Sequence, residues 1–464
     1  MAETLSPLTD SEEETDIVGL SDERIQDLLT DLHEAHAEKL TESLKELSVP
    51  EAADLLHKID AEDRQALLEQ FGGAFDPYVF SFLDAELRRI CLSTMPSSKV
   101  AQIISELDSD DALDLILNLS PVFQKEILYK LSNKDRLALE EGLTFPPDSA
   151  GRLMQREFVA IPEFWTVGDT IDYLRSAGDK IPDDFFDLIV IDPSYHVRGE
   201  IPLDKLIRSQ RHEKIRDLTL KEAHTVSATL DQEEVAHLFR RESIKSAPVV
   251  DEDDRLIGVI TIDDVIDVID EEAQEDILKM AGVKEGDLYR AVMSTTTSRF
   301  KWLFVNLLTA ILASVVISWF DATLEQVIAL AILMPIVASM GGNAGTQALT
   351  VAVRALATKE ISDTNTFRII WKETLVGTLN GAAFALIIGA IAALWFQSPV
   401  LGGVIGAAMV LNLVCAGLFG AGIPIFLNRI GVDPALSSTV FLTTITDVVG
   451  FFGFLGLASI FLIH

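Results

Sequence analysis

The chain predicts a multidomain protein: an α-helical superhelix, then a pair of α/β modules, then an all-α membrane domain of five helices. Three observations carry this expectation. Charge divides the 464 residues sharply, because residues 301–464 hold seven acids and six bases while the net charge of the whole chain is −35. Five long apolar stretches follow Arg299. Between residues 148 and 272, β-rich runs alternate with helical patterns. The expected divisions are a disordered lead (1–20), an acidic helical superhelix (21–145), the paired modules (148–272), a connecting helix (273–299) and the membrane domain (300–464).

The N-terminal stretch Met1–Leu20 is acidic and has no apolar run, so no cleavable signal peptide is expected there. Beyond it, short amphipathic helices are punctuated by acidic turns. Ser48-Val49-Pro50-Glu51 and Ser109-Asp110-Asp111-Ala112 each open like an N-cap with an acid-rich first turn, which suggests a helical repeat. Asp108, Asp110, Asp111 and Asp114 are candidate cation ligands facing a partner domain; helix capping is the competing explanation. The acidic balance argues against nucleic acid and for a cation-rich environment, with solubility accounting for much of the charge. Cys91 and Cys415 lie far apart and make neither a disulfide framework nor a zinc site. A reduced, cytosolic setting for the first 300 residues follows.

The central region contains two units of about 60 residues. Asp187–Asp192 and Ser246–Asp251 each lead into a second strand, Val197–Ile201 and Leu256–Ile260, and then a helix. The pattern resembles a pair of CBS domains, modules that stack into a pseudo-symmetric disc and often bind adenine nucleotides. Thr261 and Asp264, a Thr-x-x-Asp after the last strand, fit that family's ribose-binding corner. The first unit has Pro202-Leu203-Asp204-Lys205 at the equivalent place, so at most one nucleotide site, for ATP, is expected.

An acidic run follows: Asp263, Asp264, Asp267, Asp270, Glu271, Glu272, Glu275 and Asp276. On a helix, Asp267, Asp270 and Glu271 share a face with Asp264 one turn before. Like charges at that spacing repel, so the run costs helix stability unless a cation neutralises it. We read it as a cation sensor, against the alternative of a solvated linker, because it leads directly towards the membrane. Residues 275–298 are expected to form a helical connector.

The apolar stretches cover about 302–320, 327–357, 368–396, 400–428 and 435–463, each long enough to span a bilayer. Pro335 and Pro424 are candidate breaks. Arg299, Lys301, Arg354, Lys359, Arg368, Lys372 and Arg429 all fall on one side, which places the N-terminus in the cytoplasm and His464 outside the inner or plasma membrane. Asp447 lies inside an otherwise uncharged span, and an ionisable group at that depth marks a protein interior or an aqueous path. The run Pro335–Gln347 adds small residues, freed backbone carbonyls and neutral oxygen-bearing side chains, with Gly341, Gly342, Asn343 and Gly345 as candidate contributors of exposed backbone or side-chain oxygen. Thr443 lies one turn before Asp447. Asp433, before Pro434, reads as a helix cap and as a second acidic station. A hard cation needs such oxygen ligands, and Mg²⁺, which keeps most of its waters, fits a single Asp doubled across a symmetric dimer.

In this order, the whole chain from about residue 21 resembles the MgtE family of magnesium channels. The resemblance rests on Ser149–Met154, the acidic exit Asp264–Asp276, Met340–Gln347, Arg354–Ala357, Asp433-Pro434-Ala435 and Asp447-Val448-Val449-Gly450. It implies a homodimer with Asp447 as the Mg²⁺-selecting carboxylate and Asp433 near the cytoplasmic mouth. It also implies closure by cytosolic Mg²⁺ that joins the superhelix, CBS pair and "plug" helix. Ser438 and Thr439 stand where the family commonly has amides or small residues, a departure that bears on selectivity among divalent ions, including Co²⁺. Three other readings compete: an ion-coupled Mg²⁺/Co²⁺ transporter, a membrane-anchored nucleotide sensor, and an enzyme. The last finds no Ser/His/acid, P-loop or His-rich metal pattern.

Overall fold

The computed structural model describes residues 19–178, 181–182, 185–219, 223–284 and 286–463. The expected disordered lead therefore lies largely outside the described residues. Its last position is already anchored: Leu20 is buried, its N–H donates to Asp54 Oδ2 at 2.9 Å, and Lys58 Nζ donates to its carbonyl at 2.8 Å. The described chain forms two compact units, residues 19–269 and 270–463.

The first unit opens with nine α-helices among the described residues, from α1 (Asp22–His33) to α9 (Asn133–Gly142). Their short lengths follow from frequent caps. Helix α3 (Val49–Lys58) starts in a capping box, with Glu51 accepting from both the backbone N–H and the hydroxyl of Ser48. The repeat unit around Ser109 departs from the expectation by one residue: Asp108 is the N-cap of α7 (Ser109–Leu117). The Ser109 hydroxyl instead donates to Glu157 Oε2 at 2.7 Å and accepts from the Arg156 N–H at 2.8 Å. A serine that satisfies a neighbouring segment is no longer available to cap its own helix.

After α10 (Ala150–Leu153), the two α/β units repeat one topology. Strands β1 (Ala160–Pro162), β2 (Asp187–Ile191) and β3 (Val197–Pro202) form one sheet; β4 (Val226–Ser227), β5 (Ser246–Val250) and β6 (Leu256–Thr261) form the other. In each, the first pair is parallel and the second antiparallel. Both antiparallel pairs shift register at the same place, between Val190 and Ile191 and between Val249 and Val250. The short parallel strands β1 and β4 were not expected, because two or three residues give no usable alternation. Ile189, Ile191, Leu256 and Val259 form a shared apolar cluster between the sheets.

Helix α15 (Ile262–Ala281) leaves β6 and runs straight through the expected 272/273 division. The separate connecting helix is thus corrected: its first part belongs to α15, and its last part begins the first span, α16 (Val292–Ser318). Gly282 ends α15 at φ +67°, and a Cβ there would meet Trp302 Nε1 at 2.1 Å. Any other residue would strain the backbone and displace the indole.

The other long apolar helices are α18 (Ala329–Ala357), α19 (Thr366–Trp395), α20 (Pro399–Arg429) and α21 (Pro434–Leu462), with the short α17 (Asp321–Gln326) between the first two spans. With α16 they make five helices long and apolar enough to cross a membrane. Helix α20 is the most buried and packs on α18, α19 and α21. Pro335 and Pro424 lie inside continuous helices, so neither is the expected break.

Candidate functional site

The expected residues fall into three groups. The first lies in the membrane helices. Asp447 sits fourteen residues after Asp433, about 21 Å along α21 at 1.5 Å per residue. It is half-exposed in the single chain and makes no hydrogen bond or ion pair with a described residue. Thr443 Oγ1, one turn before, donates to the Thr439 carbonyl at 3.0 Å, which leaves its oxygen lone pairs free to accept.

The polar run on α18 divides by face. Ser339, Asn343, Thr346, Gln347, Thr350 and Arg354 are exposed and follow helical spacing, giving one polar stripe. Gly342 is half-exposed beside it. Gly341 and Gly345 lie on the buried face, against Asn412 and Leu442. The expectation of exposed, freed carbonyls at Gly341 and Gly345 is therefore corrected: α18 stays helical through the run, and these two glycines let other helices approach.

The second group joins the end of α15 to the start of α21. Asp433 accepts from the Ala435 N–H at 2.8 Å, capping α21, and its Oδ2 lies 2.8 Å from Lys279 Nζ. The same ammonium lies 2.7 Å from Glu275 Oε1. These hydrogen bonds raise the Lys279 pKa against the opposing effect of burial. The Asp276 carboxyl is raised by burial and then by Asp433. One residue on, the Met280 carbonyl accepts from Thr439 Oγ1 at 3.2 Å, while its side chain packs against the cluster of Leu349, Val353, Ala435 and Leu442. Sequence reasoning named Glu275 and Asp433 but missed Lys279, whose spacing of four from Glu275 was the available signal.

The third group lies in the first unit. Asp110, buried at the start of α7, faces Asp264 at the start of α15; burial and then Asp264 push its carboxyl well up. Burial drives Asp264 to about 7, although the Thr261 hydroxyl, 2.8 Å away, pulls the other way. Burial also lifts Asp111 to about 6. The neighbouring acids are engaged: Asp108 accepts from Tyr78 Oη at 3.1 Å and Asp114 pairs with Arg88. Along α15, Asp267, Asp270 and Glu271 are exposed and Glu272 is half-exposed. Among the described residues, no three His, Cys, Asp or Glu side chains stand close enough together to enclose a metal ion. Of the ten expected sensor residues, only the neighbourhood of Asp110, Asp111 and Asp264 is tight enough for one acid to push up another's carboxyl, and Glu275 stands with a lysine instead.

A charged unit of helices and CBS-like modules, continued into five apolar helices with one central carboxylate, defines a membrane transport protein with a large soluble part. Family comparisons agree. The family model described as "Divalent cation transporter" matches residues 334–457, "MgtE intracellular N domain" matches 47–148, and "CBS domain" matches 215–271. The magnesium transporter MgtE of Thermus thermophilus is 32% identical over 462 residues, covering 93% of this chain and 99% of its own. That of Bacillus subtilis is 29% identical, covering 96% of each. A crystal structure of the cytosolic domain of the Mg²⁺ channel MgtE in complex with ATP is 29% identical, covering 52% of this chain and 99% of its own, with a TM-score of 0.47. The chain belongs to the MgtE family of magnesium transporters, and its five apolar helices fit an integral membrane protein. These relatives are named as transporters, not enzymes.

Proposed function

We propose that this chain is a Mg²⁺ channel that admits magnesium across the inner or plasma membrane and closes when cytosolic Mg²⁺ is high. The observation that carries the reading is Asp447, a carboxylate midway along a membrane helix with no protein cation or donor beside it among the described residues. Such a group needs an aqueous path or a cation. A partly hydrated Mg²⁺ takes one or two carboxylates and neutral oxygens, which Asp447 and the Thr443 hydroxyl offer. Asn343 and Gly342 belong to the polar stripe of α18, which is too polar to face lipid and supports a second copy of the chain completing the path. In this reading the N-terminus is cytoplasmic and the C-terminus external.

Closure rests on Asp110, Asp111 and Asp264. Their carboxyls repel when ionised, and a hydrated Mg²⁺ between α7 and α15 would replace repulsion by attraction and favour the compact state. Asp267, Asp270, Glu271 and Glu272 would contribute a diffuse attraction for the ion. The Thr261–Asp264 corner would also take the ribose of ATP, so nucleotide and metal meet at Asp264.

Mg²⁺ entry into liposomes containing the full chain tests the reading. Entry in the parent that is lost in Asp447→Ala supports it; equal entry in both removes Asp447 as an ion ligand. Flux that tracks a proton gradient at fixed potential would favour a coupled transporter, and competition by Co²⁺ measures selectivity.

A further inference from the structure

One buried amide stands outside every group so far described. Asn412, on α20, has no exposed surface, although it lies among spans dominated by apolar side chains. Its Nδ2 donates to the Val337 carbonyl of α18 at 2.8 Å. Its Oδ1 is buried with no hydrogen-bond partner among the described residues. Two helices give way to admit it. A Cβ at Gly341 of α18 would stand 2.2 Å from Nδ2, and a Cβ at Gly450 of α21 would stand 2.8 Å from the same atom. The amide therefore fills a three-helix junction that only glycines on both neighbours allow.

The place of this junction matters. Gly341 immediately precedes Gly342 and Asn343, and Gly450 lies one helical turn after Asp447. A leucine has the same branched outline and would bury no unmatched oxygen, so the amide's contribution is directional. We propose that Asn412 is a positioning residue: by clasping α18 at Val337 and seating α21 through Gly450, it fixes the spacing between Asp447 and the polar stripe of α18, and so the affinity and selectivity for the ion. The inference rests on the pore reading above and names the residue that sets the geometry of that site.

The test compares Mg²⁺ and Ca²⁺ entry into liposomes for the parent, Asn412→Leu, Gly450→Ala and Asp447→Asn, with thermal stability in detergent measured alongside. Gly450→Ala displaces the amide without changing it, and serves where Asn412→Leu fails to fold. Expected for both is a half-saturating Mg²⁺ concentration raised by roughly threefold or more, and a reduced Mg²⁺ preference over Ca²⁺. A purely structural residue would lower stability and maximal flux while leaving half-saturation and preference at parental values; that result overturns the inference. If Asp447→Asn abolishes entry while the other two variants keep parental half-saturation, the inference fails and the pore reading stands. If Asp447→Asn leaves entry intact, the pore reading fails and takes this inference with it.

Discussion

Two carboxylate clusters in this molecule differ in one respect: one contains its own cation. At the end of α15, Lys279 lies between Glu275 and Asp433, and the three charges close on one another. At the start of the same helix, no Lys or Arg pairs with Asp110 or Asp264 among the described residues. The carboxyls there are raised, Asp264 to about 7, so protons take the place of a missing positive charge. An acidic cluster with a built-in ammonium is already neutralised and has little use for a metal. One without it is poised between proton and divalent ion.

The largest effect should come from neutralising the cluster that lacks a cation. Asp110→Asn removes one of two facing carboxyls and should stabilise the contact between α7 and α15 by about 2 kcal/mol at pH 8 without Mg²⁺. Amide hydrogen exchange in those helices checks this in the full chain; slower exchange on Mg²⁺ addition should also shrink. Unchanged exchange in the variant would mean the two carboxyls do not oppose each other.

The same contact should respond to pH with a definite sign. Asp264 is protonated in the folded state up to about 7 against an ordinary value of 3.8, so the folded state binds more protons than the unfolded one between those limits. The contribution of Asp264 to stability without Mg²⁺ therefore falls as pH rises from about 4 to about 7 and levels off above. Saturating Mg²⁺ should slow exchange at pH 8 and do much less at pH 5. An equal effect at both pH values would break the link between protonation and metal.

Opening the self-neutralised cluster should matter less, because its groups are partly exposed. Lys279→Met leaves Glu275 and Asp433 facing without their cation, and should loosen the end of α15 by about 1 kcal/mol. It should also make exchange at Met280 and Ala281 more sensitive to Mg²⁺ than in the parent. The smallest effect is expected for Asp433→Asn, under about 1 kcal/mol, since asparagine caps α21 as well as aspartate and only the ion pair is lost.

Much of the architecture was legible because its signals are local. Five spans appear as runs of apolar residues, and their observed limits differ from the expected ones by a few residues, apart from the earlier start of α16. The paired α/β units appear as β-rich runs at matching intervals. What misled was also local. Proline suggested breaks at 335 and 424 that helix packing overrides, and glycines at 341 and 345 suggested bare backbone where neighbours approach closely. Asn412 carried no signal of its own, since one amide in an apolar run does not announce which carbonyl it reaches.

The order of residues was enough to establish a charged soluble region, an apolar five-helix region and a lone carboxylate in its last helix, because hydropathy, charge and burial cost are properties of short stretches. Partnership was settled by the fold. Glu275 and Asp433 are 158 positions apart yet share Lys279, and Asp110 and Asp264 are 154 apart yet the second carboxylate pushes up the carboxyl of the first. Coulomb and hydrogen-bond terms act over a few ångströms of space, whatever the length of chain between the groups, so which acids stand alone and which are answered emerges when the helices pack.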